Sequence, residues 1–174
     1  MAQPIPLTPI EVAEMLRAAS ELLQIELGAL PTQLLGWHPA AEEWCIKQVL
    51  GHLIQTEQTG FAGRIREILA SEDPQLDALD QNEEALKRND CAREAAELLE
   101  AFVLLRNESC KMVADLPISD LQRGGWHPDV GFMRVADLLH EWVYHDRDHI
   151  QQIMANIQAY TWDNMGATQK FYLS

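Results

Sequence analysis

The chain is short of basic residues. Thirteen Lys and Arg stand against 27 Asp and Glu, a formal charge of −14 over 174 residues. A surface of that sign repels a phosphate backbone and lacks the basic stripe by which proteins hold DNA or RNA, so no nucleic acid is expected as a partner. Long apolar runs are missing as well. Nowhere do about eighteen uncharged apolar residues follow one another, and the opening MAQPIPLTP carries no positive charge ahead of an apolar stretch. Membrane insertion and secretion are therefore not expected, and the cytoplasm is the expected location. Cysteine is scarce: Cys45, Cys91 and Cys110 lie 46 and 19 residues apart, match no CxxC or zinc-knuckle spacing, and are read as reduced thiols. No alternating run or hairpin turn signal competes with a helical reading.

Apolar residues make up 47% and charged residues 23%, ordinary globular usage, and the length suits one domain over residues 1–174. Four helical segments follow from the periodicity. The first opens at Thr8 as N-cap with Pro9 behind it, carries Val12, Leu16, Ala19, Leu23 and Leu27 at 3–4 spacing, and is closed by Pro31. The second spans about Trp44 to Ser71, with Val49, Leu50, Leu53, Phe61, Ile65 and Ile68 on its buried side. SEDPQLDALDQN breaks the pattern, and a third helix runs from about Glu83 to Asp115, acidic outside, with Leu98, Phe102 and Val113 among its apolar set. A connection of roughly sixteen residues holding Gly124, Gly125, Pro128 and Gly131 leads to the fourth, about Met133 to Ala159.

The chain also echoes itself. GWHP occurs at 36–39 and again at 125–128, an offset of 89, and the same offset pairs Ile46-Lys47-Gln48-Val49-Leu50 with Val135-Ala136-Asp137-Leu138-Leu139. Two similar helix-pair halves in an all-α four-helix bundle account for both. His38 and His127, in the echoed loops, are read as loop-packing residues because irregular loops alone give no ligand geometry.

Chemistry concentrates in HEWVYHDRDHIQQI, 140–153. At about 100° per residue His145 and His149 share a helix face, whereas His140 lies about 140° from His145. HEWVYH is thus one residue too long for the HExxH zinc-protease pattern, and the chain holds no Glu-x-x-His of the di-iron bundles. A third candidate ligand is His52, inside the apolar run VLGHLIQTE, where a buried imidazole needs a partner, either a metal or a hydrogen-bonding neighbour. Adding 89 to 52, 56 and 60 gives 141, 145 and 149, so His52 sits on the stripe that carries the histidine pair in the other half.

VLGHLIQTE and HDRDHIQQI resemble the helix-two and helix-four signatures of the DinB/YfiT-like superfamily of four-helix-bundle metalloenzymes, in particular its DinB-like branch. The resemblance implies that His52, His145 and His149 bind one divalent metal, zinc or nickel, and that the protein forms a homodimer. Relatives with assigned activity are S-transferases or isomerases that use low-molecular-weight thiols, which makes such a thiol the implied small-molecule substrate. Where many relatives enter these helices with Trp-Ser and with a Thr, this chain has Trp44-Cys45 and Met133-Arg134.

Three imidazoles leave a coordination position for water or substrate, as in catalytic sites, whereas structural zinc is closed by four protein ligands. Glu141, one turn before His145, is the candidate base; Gln152 could bond a ligand, and Asp146 and Asp148 could accept from imidazole N–H groups. Trp142 is read as core, and Cys45, roughly 10 Å along the axis from His52, as lying beyond ligand reach. Three functions stay open: a metal-dependent thiol S-transferase or a related hydrolase or isomerase, a non-catalytic metal-binding protein acting through contacts in stress response, and a bundle whose histidines are only core polar groups.

Overall fold

A computed structural model describes residues 5–78 and 81–173; the start of the MAQPIPLTP segment lies outside them. Thr8 caps helix α1 (Pro9–Ala29) in a reciprocal box with Glu11: the Thr8 N–H donates to the Glu11 carboxylate at 2.8 Å and the Thr8 hydroxyl accepts from the Glu11 N–H. After Pro31 a single turn, α2 (Thr32–Leu35), ends at Gly36.

The second helical segment is broken in pitch. Helix α3 (Ile46–Gln55) passes through a π-helical turn, 56–60, into α4 (Phe61–Ala70). The third segment divides into α5 (Gln81–Arg88) and α6 (Ala95–Ala114), which corrects the single helix expected from Glu83 to Asp115. Asn89 causes the division: at φ +51° it adopts the left-handed conformation that terminates helices, and a short 3₁₀ turn, 90–92, follows. Helix α7 (Val135–Trp162) is the longest element and carries no break.

A second correction falls on the connection before α7. It is not irregular but a β-hairpin, β1 (Gly124–His127) with β2 (Gly131–Arg134), antiparallel, with Trp126 opposite Phe132 and His127 opposite Gly131. Three residues, 128–130, link the strands, and Gly131, the first residue of β2, sits at φ +82° in the left-handed region that favours glycine. The Trp126 and Phe132 rings meet at 5.4 Å, and Trp126 exchanges backbone hydrogen bonds of 2.8 Å with Pro74 and Leu76 on its other side. The backbone approaches so closely that a Cβ on Gly124 would stand 2.4 Å from the Met133 carbonyl oxygen.

Helix α1 packs on α6 and α7, and the α3–α4 segment packs on α6 and α7 as well, which is the four-helix bundle expected from the periodicity. Its interior has two apolar clusters. One gathers Val12, Leu16, Phe61, Ile65, Val113, Leu138 and Trp142; the other gathers Leu23, Leu27, Val49, Leu53, Leu98, Phe102, Ile150 and Ile153. Along each long helix the residues between the clusters include buried polar groups: Glu57 after α3, Arg106 and Ser109 on α6, Asp146 on α7. The candidate site lies at this level.

Candidate metal centre

The helix starts set the register of the site. Neither Cys45 nor Arg134, the N-caps of α3 and α7, is a favoured capping residue, yet both helices are closed the same way by the residue three positions on. Gln48 accepts the Cys45 N–H at 3.0 Å through its amide oxygen, and Asp137 accepts the Arg134 N–H at 3.0 Å through its carboxylate. The offset of 89 seen in the sequence is thus the offset between the first residues of α3 and α7, Ile46 and Val135.

With that register fixed, His52, His145 and His149 converge. One ring nitrogen from each falls within 4.8 Å of the others, and the ring centroids are 4.4 to 5.1 Å apart. The Nε2 atoms of His52 and His145 stand 3.0 Å apart. His140 points elsewhere: its Nε2 accepts the Leu7 N–H at 3.0 Å and its Nδ1–H donates to the Ala136 carbonyl at 2.7 Å, tying the N-terminal segment to α7. The HExxH reading is therefore excluded by structure as well as by spacing.

Burial dominates the electrostatics. His52 is 1% exposed, and its pKa falls to about 3, first through burial and then through His149 and Arg88; His145 falls to about 3 through burial, His149, His52 and Arg106. Both rings are neutral at pH 7, the state a metal ligand requires. The His149 Nδ1–H donates to the Gln152 side-chain oxygen at 2.9 Å, leaving its Nε2 lone pair free, so Gln152 orients a ligand.

The donor set fits a divalent ion. Two imidazoles on one tetrahedral ion, with bonds of about 2.0–2.1 Å, hold their nitrogens roughly 3.3 Å apart, close to the observed separation. Without an ion, His52 and His145 share a single hydrogen bond while both Nδ1 atoms are buried and unpartnered. A divalent ion between the two Nε2 atoms would take both lone pairs in place of that shared hydrogen bond, while the buried Nδ1 atoms would keep their protons and gain no partner from it. Trp44 lies 5.3 Å from the His52 ring and 6.5 Å from that of His149, nearly parallel to the latter, and Phe61 meets His145 edge-on at 5.1 Å. His149 opens onto a surface cavity of about 740 Å³ bordered by Glu42, Glu43, Trp44, Asp148 and Gln152. Glu141 is exposed and lines a separate cavity with Arg64, His127 and Asp137. Trp142 is fully buried and stacked on Phe61, a core residue as read.

Asp146 is not an imidazole acceptor. It forms a bidentate pair with Arg106, whose Nη1 and Nη2 both donate to it, the latter at 2.9 Å. Arg106 Nε donates to Glu57 at 2.6 Å, and Nη1 also reaches the Leu16 carbonyl. Burial alone would lower the Arg106 pKa, but Asp146 and Glu57 more than offset it and raise it; burial raises that of Glu57. Glu57 and Arg106 were missed in the sequence. In a regular helix Glu57 lies about 140° from His52, and the wider π turn swings it inward. Arg106 left a signal: it continues the Leu98, Phe102 spacing toward Val113, a cation where the period demands an apolar residue.

A model of the DinB superfamily matches residues 15–153. The chain belongs to that superfamily. Among solved structures, YfiT from Bacillus subtilis, described as a probable metal-dependent hydrolase with an unusual four-helix bundle topology, superposes with a TM-score of 0.81 over 93% of this chain and 94% of its own, at 17% identity. At that identity the likeness shows the shared fold. No curated protein sequence matches this DinB-superfamily chain.

Proposed function

We propose that this protein is a divalent-metal-dependent enzyme that transfers a low-molecular-weight thiol to a small electrophile, with zinc or nickel held by His52, His145 and His149. The observation that carries the reading is the convergence of three imidazoles, two of them, His52 and His145, held neutral by burial, with His149 opening onto a surface cavity. A bound divalent ion would supply Lewis acidity and lower the pKa of a thiol or water placed beside it. The chain's own groups do the rest. Gln152 fixes the His149 tautomer, Trp44 and Phe61 brace the rings, and the Arg106 pair with Asp146 holds α7 in rotation beside His145. Glu141 is the candidate base read from the sequence although it lines a cavity separate from that at His149, and Glu141→Gln tests it against Asp148→Asn, which alters the cavity at His149.

A second reading, hydrolysis, is favoured by the description of the Bacillus subtilis protein of the same fold. In either case residues 1–174 are taken as one domain, and the protein as a cytoplasmic homodimer without nucleic-acid or membrane partners. A charge of −14, and the lack among the described residues of a helix long and apolar enough to cross a membrane, support the latter. The deciding experiment is metal analysis of purified protein followed by turnover of an electrophile with a panel of thiols. About one equivalent of metal and thiol consumption abolished by His145→Ala are expected. Metal without turnover of thiols or of hydrolysable esters and amides supports the non-catalytic alternative, and no metal after reconstitution leaves the histidines as core polar groups.

A further inference from the structure

Cys45 and Cys91, 46 residues apart in sequence, meet in space. Their sulfurs stand 2.8 Å apart, and the His38 Nε2 lies 3.5 Å from the Cys91 sulfur. The meeting does not depend on the sulfurs themselves. Lys47 donates to the Cys91 carbonyl at 2.6 Å and to the Arg93 carbonyl at 2.8 Å, which holds the 91–93 segment against the start of α3. The His38 Nδ1–H donates to the Glu43 carbonyl at 2.8 Å, so its Nε2 faces Cys91 as a lone pair. Cys45 is fully buried, Cys91 is half-buried and His38 is exposed, so a reagent from solvent reaches Cys91 first.

Two chemistries use a Cys, Cys, His group of this kind. Two thiolates on one tetrahedral zinc, with bonds of about 2.3 Å, stand roughly 3.8 Å apart. The observed 2.8 Å is well inside that and lies toward the covalent S–S length of about 2.05 Å. We propose that Cys45 and Cys91 form a thiol–disulfide exchange pair for low-molecular-weight disulfides, with His38 taking the proton of Cys91. Burial, with the Cys45 sulfur, pushes the Cys91 thiol up to about 12, so attack by its thiolate needs a proton acceptor in contact.

The reaction balances with one external disulfide, RSSR. Cys91 passes its proton to His38 and its sulfur attacks one sulfur of RSSR; the Cys91–S bond forms, the RS–SR bond breaks, and the departing RS⁻ takes the proton from His38. Cys45 then attacks the Cys91 sulfur of the mixed disulfide and its proton leaves with the second RS⁻. Two cysteine thiols are oxidised by two electrons, and RSSR is reduced to two RSH. The resulting bond ties the residue next to Trp44, in the wall of the histidine cavity, to residue 91.

The test is peptide mapping under non-reducing conditions after the reduced, intact protein is exposed to glutathione disulfide. A peptide holding Cys45 linked to one holding Cys91, lighter by two hydrogens, is expected, with Cys110 left free. In Cys45→Ser the reaction should stop at a glutathione adduct on Cys91, and His38→Gln should slow adduct formation by at least about tenfold. Adducts on Cys91 of the parent that never convert to the bridge, or modification of Cys110 at the same rate, would overturn the proposal. So would a zinc equivalent that survives His52→Ala and His145→Ala but is lost in Cys45→Ser, which would make the group a metal site. Because thiol mapping needs neither turnover nor the tri-histidine site, its outcome stands apart from that of the proposed enzyme activity.

Discussion

Helices α3 and α7 begin alike and continue differently. Both start 89 residues apart under an unfavoured N-cap closed by a side chain three positions on, yet α7 runs unbroken for 28 residues while α3 changes pitch after ten. The change of pitch turns Glu57 inward to Arg106, and α7 brings Asp146 to the same guanidinium from the other side. The preceding GWHP strings diverge as well: Gly36 closes a helical turn, whereas Gly125 to His127 form a strand bonded to β2 and to 74–76. Local sequence sets where the helices start, and long-range partners decide how they continue. The two halves share a frame but build an asymmetric site, one histidine and a glutamate from the first, two histidines and an aspartate from the second.

The largest effect should come from the group that joins the halves. Arg106→Met leaves Glu57 and Asp146 buried without their cation, and breaking such a pair costs about 3–5 kcal/mol. Urea denaturation should show a loss of that size. Replacing Glu57 and Asp146 by leucine together with Arg106→Met should recover most of it, because the cost lies in unpaired charge. An Arg106→Met midpoint equal to that of the parent would mean that the two halves are held together without the pair.

Acid should separate the halves from solvent-exposed behaviour next. Below pH 6.5 the unfolded chain's imidazoles take up protons that folded His52 and His145 refuse until about pH 3, so the unfolded state binds more protons across that window. Stability of the chelator-treated protein therefore falls as pH falls through it. At pH 5 the loss is about 2 kcal/mol for each ring. Burial raises the pKa of Glu57, which acts in the opposite sense in parent and variant alike, so the comparison with His52→Gln/His145→Gln isolates the rings. The same pH dependence in both proteins would show that the rings protonate in the folded state as they do in water.

Gly51 and His140 occupy equivalent positions, 89 apart, and sharpen the contrast. A Cβ on Gly51 would lie 2.0 Å from the Asp90 carboxylate, itself fully buried. Gly51→Ala should cost about 1–3 kcal/mol by overpacking, although alanine is the better helix former. His140→Ala loses the bond from the Leu7 N–H and should cost about 1 kcal/mol. Thermal melts of the two variants check the order, and a larger effect at His140 would reverse it.

Legibility in the sequence divides along the same line. The 3.6-residue period placed the four bundle helices, and the offset of 89 put His52 on the stripe of His145 and His149, because both are properties of single helices in a fixed register. The hairpin escaped because its strands are four residues each and its pairing to Pro74 and Leu76 is long-range. The π turn escaped because TEQTG carries no local signal of its own and answers to Arg106, 49 residues from Glu57. Cys45 and Cys91 escaped for a similar reason: the left-handed turn at Asn89, which the helical reading passed over, is what sets off Cys91 beside α3.

The last effect is small in energy and decides the most about function. His52→Ala, His145→Ala and His149→Ala should each weaken zinc or nickel binding by at least tenfold, about 1.4 kcal/mol, since each leaves two imidazoles. Gln152→Ala should weaken it less, because it removes the acceptor that orients His149 and not a ligand. His140→Ala should leave affinity unchanged: its two ring nitrogens are taken by Leu7 and Ala136. Cys45→Ser should also retain the metal, since its sulfur faces Cys91. Competitive titration against a chelator at pH 7.5 measures all six. If loss at His52 were no greater than at His140, the half that contributes one histidine would be a wall of the site and not part of its ligand set.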